Sequence, residues 1–405
     1  MSAIARIPGR RLLHSPGPSP VPDEVLHAMS RQPMDLADPR VDANIAACEE
    51  GLRRLMHTVS ADVFFYASNG HGVWEAVVEN LAAPGQALLV PGTGHFSESW
   101  AVQAEALGRR VQRTAWRAGW PIDAAAVEQA LRDDKAHTIR AVLAVHTDTA
   151  TGVTSDLAAV RRAIDAARHP ALLVADVVAS LGAAPFAMDA LGVDVALGAS
   201  QKGLMCPPGL GFVAVNAAAL AASLANPGPR FYWDWARRKA EPSYRKFCGT
   251  PPQSLMQGLQ AALALIFQEG LHAVWARHAL LAGAVQAAVA GWREGGVLDL
   301  YALEAASRSV SVTTITVAPQ ALDVDALRTL AREHFQVAIA GGLGPLAGQA
   351  FRIGHLGDCN PAMILGAIAG VEAALLRLGV PLGAGGAQRA IRYLASPPPA
   401  HQGPQ

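Results

Sequence analysis

Charge is scarce in this chain, and the two signs cancel. Charged residues make up 16% of the 405, as 33 basic against 33 acidic. Without net charge there is no long-range pull toward a nucleic-acid backbone or an acidic membrane surface, so neither is expected as a partner. Cysteine is scarce as well. The four, Cys48, Cys206, Cys248 and Cys359, are scattered with no CxxC pair. That argues against a disulfide framework or a zinc site and fits a reducing cytoplasm. Long apolar runs are also missing. The opening MSAIARIPGRRLLHSPGPSP has no signal-peptide core, no later run suits a membrane span, and no peroxisomal tripeptide closes the chain.

Apolar residues, by contrast, are plentiful at 51%. They can fill one large domain and one smaller one. Residues 1–20, rich in Pro and Gly, read as an extended arm that lies on a partner subunit or is disordered. Residues 21–268 read as the large domain, 269–385 as a smaller C-terminal domain, and 386–405 as a tail with a Pro-rich end. Between residues 60 and 216, short apolar runs alternate with helical patterns. The runs include Ala87–Val90, Ile139–Val145, 171–175, 193–199 and 210–215. Such runs, too short for helices and bounded by turn residues, predict buried parallel strands covered on both faces.

The stretch 172–202, LLVADVVASLGAAPFAMDALGVDVALGASQK, carries the chemistry. One run ends in Asp176 and the next in Ser200-Gln201-Lys202. Ligands of α/β sheets sit beyond the carboxyl ends of strands, so an acid and an amine there point at one site. A lysine with an acid aimed at a ring nitrogen is what pyridoxal phosphate chemistry needs. Upstream, VFFYA leads through Ser68-Asn69-Gly70-His71-Gly72 into a helix, and the unpaired amides of such a helix start favour an anion. Phe96, just past a strand end, is either a core residue or a stacking partner for a flat ring. Thr149 lies in a polar HTDTATG turn, which offers hydroxyls to a ligand or simply caps the next helix. Arg352 sits inside the apolar run FRIGH, where a bare guanidinium is costly. Its partner is a substrate carboxylate or an internal acid. The segment FYWDWARRKAEPSYR at 231–245 reads as a subunit contact or a lid.

Five blocks together resemble a known family: SNGHGVWEAVVENL, HTDTATGV, LLVADVVASLGAAPFAMDALGVDVALGASQKGLMCPPGLG, FCGTPP and FRIGHLGDCNPAMILGAIAGVE. In order and over roughly residues 12 to 385, the sequence resembles the class V, fold-type I pyridoxal-phosphate aminotransferases. The alanine/serine–glyoxylate group is the nearest within them. The resemblance implies an α/β large domain of three layers with a mainly parallel sheet and a smaller C-terminal α/β domain. It implies a homodimer with shared active sites, acting on a small amino acid and a 2-oxo acid. It implies that Lys202 forms the internal aldimine, that Asp176 binds the pyridine nitrogen, and that Val178 packs on the ring. Asn69, Gly70 and His71, helped by Gln201, would hold the phosphate of pyridoxal 5′-phosphate. Thr149 would contact the ring hydroxyl, Phe96 would stack on the ring, and Thr250 would reach the neighbouring subunit's phosphate. Arg352 would bind the substrate α-carboxylate.

Some positions depart from the family pattern. Asn69 and His71 replace the usual hydroxyl residues, and Phe247 stands where a tyrosine is usual, leaving a contact to be lost or supplied by Tyr244 or Tyr232. The expected activity is amino transfer from serine or alanine to glyoxylate. Ureidoglycine–glyoxylate transfer, a lyase or desulfurase using Cys359, and a non-catalytic binding protein are the alternatives.

Overall fold

The computed structural model describes residues 9–239 and 241–396. A short strand β1 (Leu12–Leu13) precedes helices α1 (Asp23–Met29) and α2 (Pro39–Leu55). The large domain continues through β2 (Asp62–Tyr66), α3 (Gly70–Leu81), β3 (Ala87–Val90), α4 (His95–Ala106), β4 (Arg110–Arg113), α5 (Ala124–Asp133) and β5 (Ile139–Val145). After a small hairpin, β6 (Thr147–Asp148) with β7 (Val153–Thr154), come α6 (Leu157–Ala167), β8 (Leu172–Asp176), β9 (Val195–Ala199), β10 (Gly211–Val215), α7 (Ala217–Ala225) and α8 (Trp235–Arg238). Helices α9 (Gln253–Glu269) and α10 (Leu271–Trp292) lead onward. The remaining elements are β11 (Leu298–Leu300), β12 (Val312–Val317), α11 (Val324–His334), β13 (Val337–Ala338), β14 (Ala340–Gly341), β15 (Ala350–Gly354), α12 (Pro361–Arg377) and α13 (Gly386–Ala395).

The large sheet has the order β2-β10-β9-β8-β5-β3-β4, with only β10 antiparallel to its neighbours. Its two faces carry separate apolar clusters, one with α2, α5, α6 and α9, the other with α3 and α4. Burial on both faces is why these strands read as unbroken apolar runs. Asp123, Asp156, Asn216, Asp323 and Asn360 each cap a helix by accepting a first-turn N–H. Helix α9 has no side-chain cap among the described residues: Pro252 precedes it and Ser254 lies inside it. Gln253 instead begins it and exchanges hydrogen bonds with the Met34 backbone.

A second sheet, β11-β12-β15-β14, is antiparallel and covers its own core with α10 to α13. Helix α10 contributes to both cores, Val274 to the first and Leu281 onward to the second. With the turn after it, α10 is long and apolar enough to span a membrane, contrary to the sequence reading. Its apolar residues are those that fill the two cores.

Both termini differ from expectation. Residues 9–20 lie on their own chain: β1 pairs in parallel with β13, and the segment then crosses toward Lys202. Residues 386–395, assigned to the tail, form α13, an amphipathic helix packed along α10 and α12. Gly283 makes room there, since a Cβ would meet the Tyr393 ring. The first eight residues of the arm and residues 397–405 of the tail lie outside the described residues.

The segment 231–247 is pinned by Arg238, fully buried without a carboxylate partner among the described residues. Its guanidinium donates to the carbonyls of Tyr232, Phe65 and Lys246 and lies 4.0 Å over the Tyr66 ring.

Candidate active site

The central parallel strands converge at their carboxyl ends. There β8 presents Asp176, the loop after β9 presents Lys202, the loop after β5 presents Thr149, and α3 and α4 begin with Gly70 and His95. Every predicted cofactor residue except Thr250 lines one cavity of about 330 Å³. Thr250 is exposed in the loop before α9, outside that cavity. Phe247 is buried and stacked on Phe65, and neither Tyr232 nor Tyr244 lines the cavity.

Asp176 is buried with both oxygens engaged. The Val178 amide donates to Oδ1 at 2.8 Å and the Trp74 indole to Oδ2 at 2.7 Å. Burial pushes its pKa up to about 6, against the pull of those two donors and of Lys202. It remains largely ionised at neutral pH. Lys202 is buried too, and its Nζ donates to Thr149 Oγ1 at 3.2 Å and to the Pro16 carbonyl. Burial, aided by the nearby Arg352 charge, lowers its pKa to about 7, whereas Asp176 and Asp148 act to raise it. An amine poised there can accept and return a proton at neutral pH.

The anion cradle is built by α3. Asn69 Oδ1 accepts the Gly72 N–H at 3.3 Å, and Val73 bonds back to the Asn69 carbonyl. That leaves the Gly70 and His71 amides without helical partners at the cavity wall. Gln201 Oε1 is buried with no partner among the described residues, so its amide end is free to turn toward a ligand. Burial, then the neighbouring His95, lowers the His71 pKa, so what the cradle would offer an anion is amides and the helix dipole rather than an imidazolium. Phe96 borders the cavity, edge-on to Trp74 at 6.2 Å.

Arg352 on β15 is buried, and its two hydrogen bonds go to backbone carbonyls: Nε to Gly341 at 2.8 Å and Nη1 to Thr149 at 2.9 Å. No carboxylate pairs with it among the described residues, so the internal salt bridge considered from sequence is not formed. Burial lowers its pKa to about 10, which leaves it charged at neutral pH and available to a carboxylate.

Several residues of the site were not singled out from sequence. Trp74 and Gly17 line the cavity. Asp148 is fully buried and accepts the Phe96 and Ala150 amides at 2.9 Å each. Ser19 holds the Lys202 carbonyl at 2.7 Å. Only the Gly-Pro pattern of the arm hinted at close backbone approach.

Residues 11–345 match the family model described as Aminotransferase class-V. The chain is 40% identical over 404 residues to the serine–glyoxylate aminotransferase of Methylorubrum extorquens, covering 98% of this chain and 99% of that one. It is 40% identical over 369 residues to the L-aspartate–glyoxylate aminotransferase of Paracoccus denitrificans, covering 91% of each. Among solved structures, ureidoglycine–glyoxylate aminotransferase from Bacillus subtilis superposes with a TM-score of 0.86 at 26% identity, covering 98% of this chain and 100% of that one.

Proposed function

Since this chain belongs to the class V aminotransferases, we propose that it moves the amino group of a small L-amino acid, serine or alanine, to glyoxylate with pyridoxal 5′-phosphate as carrier. One observation carries the reading: an acid and an amine line one cavity that also offers two free amides, and a carboxylate-free guanidinium donates to the carbonyl of Thr149 on its wall.

The residues present fit that cofactor. Asp176 suits a ring nitrogen, the Gly70 and His71 amides with the orphaned Gln201 end suit a phosphate, and Lys202 Nζ suits an aldehyde. When bound, pyridoxal phosphate supplies an electron sink for the bond broken at the substrate Cα. Lys202 would hold it covalently and, once the substrate amine has displaced it, would carry the Cα proton on Nζ. Asp176 would keep the ring nitrogen protonated. Arg352 would hold the α-carboxylate of donor and acceptor in turn, which supports ping-pong kinetics.

The donor follows from charge. A dicarboxylic donor needs a second cation. Among the described residues that line the cavity, Lys202 is the only cationic one, and with a pKa of about 7 it is only partly charged, while His71 is held neutral. That favours serine or alanine over aspartate. A desulfurase would need a reactive thiol, but Cys359 is buried and its pKa is pushed up to about 12. A homodimer, in which Thr250 meets the partner's phosphate, and a reducing cytoplasm, which suits four free cysteines, complete the reading.

The test is a half-reaction panel. Purified protein carrying the cofactor is mixed with L-serine, L-alanine or L-aspartate and no acceptor. Serine or alanine should bleach the bound-cofactor absorbance, and glyoxylate should restore it. Lys202→Ala should lack both the absorbance and turnover. Faster conversion of aspartate, or absorbance and turnover kept in Lys202→Ala, would overturn the reading.

A further inference from the structure

Trp74 touches three parts of the site that come from different stretches of chain. Its indole donates to Asp176 Oδ2 at the end of β8. Its ring tilts against His71, with centroids 4.5 Å apart, and meets Phe96 edge-on at the start of α4. Behind it lies Trp100, stacked at 5.4 Å and 11°. Trp74 is 2% exposed, so this packing fixes its ring plane. The Trp100 indole N–H is buried without a partner among the described residues, so the hydrogen bond of this stacked pair is the one made to Asp176.

The spacing along α3 is the second observation. Gly70 and Trp74 are one helical turn apart and share a face of the helix. One rigid element therefore carries the anion-binding amides at its first turn and, about 6 Å further along, the residue whose indole holds the ring-nitrogen acid.

Resting on the functional reading above, we propose that Trp74 is a positioning residue for Asp176. Its indole N–H stops the carboxylate from rotating about the Cβ–Cγ bond and keeps it ionised toward the cavity. It thereby sets the distance between the acid and the phosphate cradle. Without it, the Val178 amide is the remaining hydrogen bond to the carboxylate oxygens, and the acid is free to swing.

The groups facing Asp176 are few. Lys202, after β9, favours its charge, and Asp148, after β5, opposes it. His71 on α3 and His146 after β5 have pKa values lowered by burial and stay neutral near pH 7. Loss of the indole donor therefore pushes the Asp176 pKa further up from about 6.

Two variants and one measurement on the unaltered protein test this. Trp74→Phe keeps an aromatic ring and deletes the donor. Trp100→Phe deletes the stacked neighbour's unpartnered N–H and serves as the packing control. Pyridoxal phosphate affinity is measured by equilibrium dialysis across pH. Trp74→Phe should bind ~10-fold more weakly than the unaltered protein near pH 6.5, as for a lost hydrogen bond to a charged group, with the deficit narrowing as pH rises. Trp100→Phe should shift affinity by the same factor at every pH. In the unaltered, cofactor-free protein, one indole N–H resonance should titrate with a midpoint near pH 6. That measurement decides the matter even if Trp74→Phe does not fold. A Trp74→Phe profile parallel to that of the unaltered protein, or an indole spectrum flat through this range, would overturn the proposal for Trp74 alone. Failure of the unaltered protein to bind pyridoxal phosphate at any pH would instead overturn the functional reading.

Discussion

Arg352 Nη1 donates to the Thr149 carbonyl at 2.9 Å, and the hydroxyl of the same threonine accepts from Lys202 Nζ at 3.2 Å. One residue thus bridges the cation of the C-terminal domain and the amine of the large domain. On the proposed function, a carboxylate drawn to the guanidinium would arrive beside the amine assigned to its α-proton.

Arg352→Lys should show what the fork is worth. Lysine keeps the charge but offers no paired donors. Loss of a hydrogen bond to a charged group, about 2–3 kcal/mol, should lower kcat/KM roughly 30- to 160-fold for amino donor and oxo-acid acceptor alike. Steady-state kinetics with each substrate checks this, and an unchanged kcat/KM for both would rule out a carboxylate contact by Arg352.

Gly17→Ala should disarm the lysine. A Cβ there would lie 2.5 Å from Lys202 Cε and 2.8 Å from Nζ. The φ of +127° adds backbone strain of about 1–3 kcal/mol. Gly9→Ala separates the two effects, because Gly9 has a φ of +84° and nothing within 4 Å. Both variants should lose a little thermal stability, but only Gly17→Ala should lose most turnover and cofactor affinity. Equal kinetics in the two variants would refute the steric argument.

Acid should loosen the protein before it reaches the carboxylate range. Burial lowers the pKa of His146 and of His278 from 6.5 to about 4, and that of His355 to about 3. A folded pKa below the unfolded one means stability that is complete above about pH 6.5 and is lost as pH falls toward the folded value. Each of the first two contributes up to about 3 kcal/mol on this basis. Asp176, raised to about 6, works the other way between about pH 6 and its unfolded value near 3.8 and offsets part of the loss. Urea unfolding should show a falling midpoint from pH 7 to pH 5, and a flat or rising one would contradict it.

Arg238→Met should destabilise the fold by about 3 kcal/mol. It strands the carbonyls of Tyr232, Phe65 and Lys246 that the guanidinium now satisfies. Denaturant titration measures this, and a change below about 1 kcal/mol would mean that the carbonyls find other donors.

The sheet was legible because strands buried on both faces write themselves as short apolar runs. Ala87–Val90, Ile139–Val145 and Leu172–Asp176 fall where those runs predict. Helix α2 was passed over although Asp38-Pro39 is a start signal, with Asp38 accepting the Arg40 amide. β1 was illegible for a different reason. Two residues have no periodicity, and their partner strand lies in the other domain. In the site, Lys202 stood out by its place just past one apolar run, with Asp176 ending the run before it. Trp74 and Asp148 did not, since a tryptophan inside a helix reads as core and an aspartate in a turn reads as a cap. Their roles depend on which strand ends become neighbours, and no local pattern records that.

His14 and Gly354, 340 positions apart, hold each other by two hydrogen bonds, backbone amide to carbonyl and imidazole to carbonyl. The roof over Lys202 is therefore fastened to one of the last strands a ribosome would deliver. A chain ending before β15 would keep Ser19 on the Lys202 carbonyl and β1 beside β13, but it would lack both of these ties between its first strand and its last.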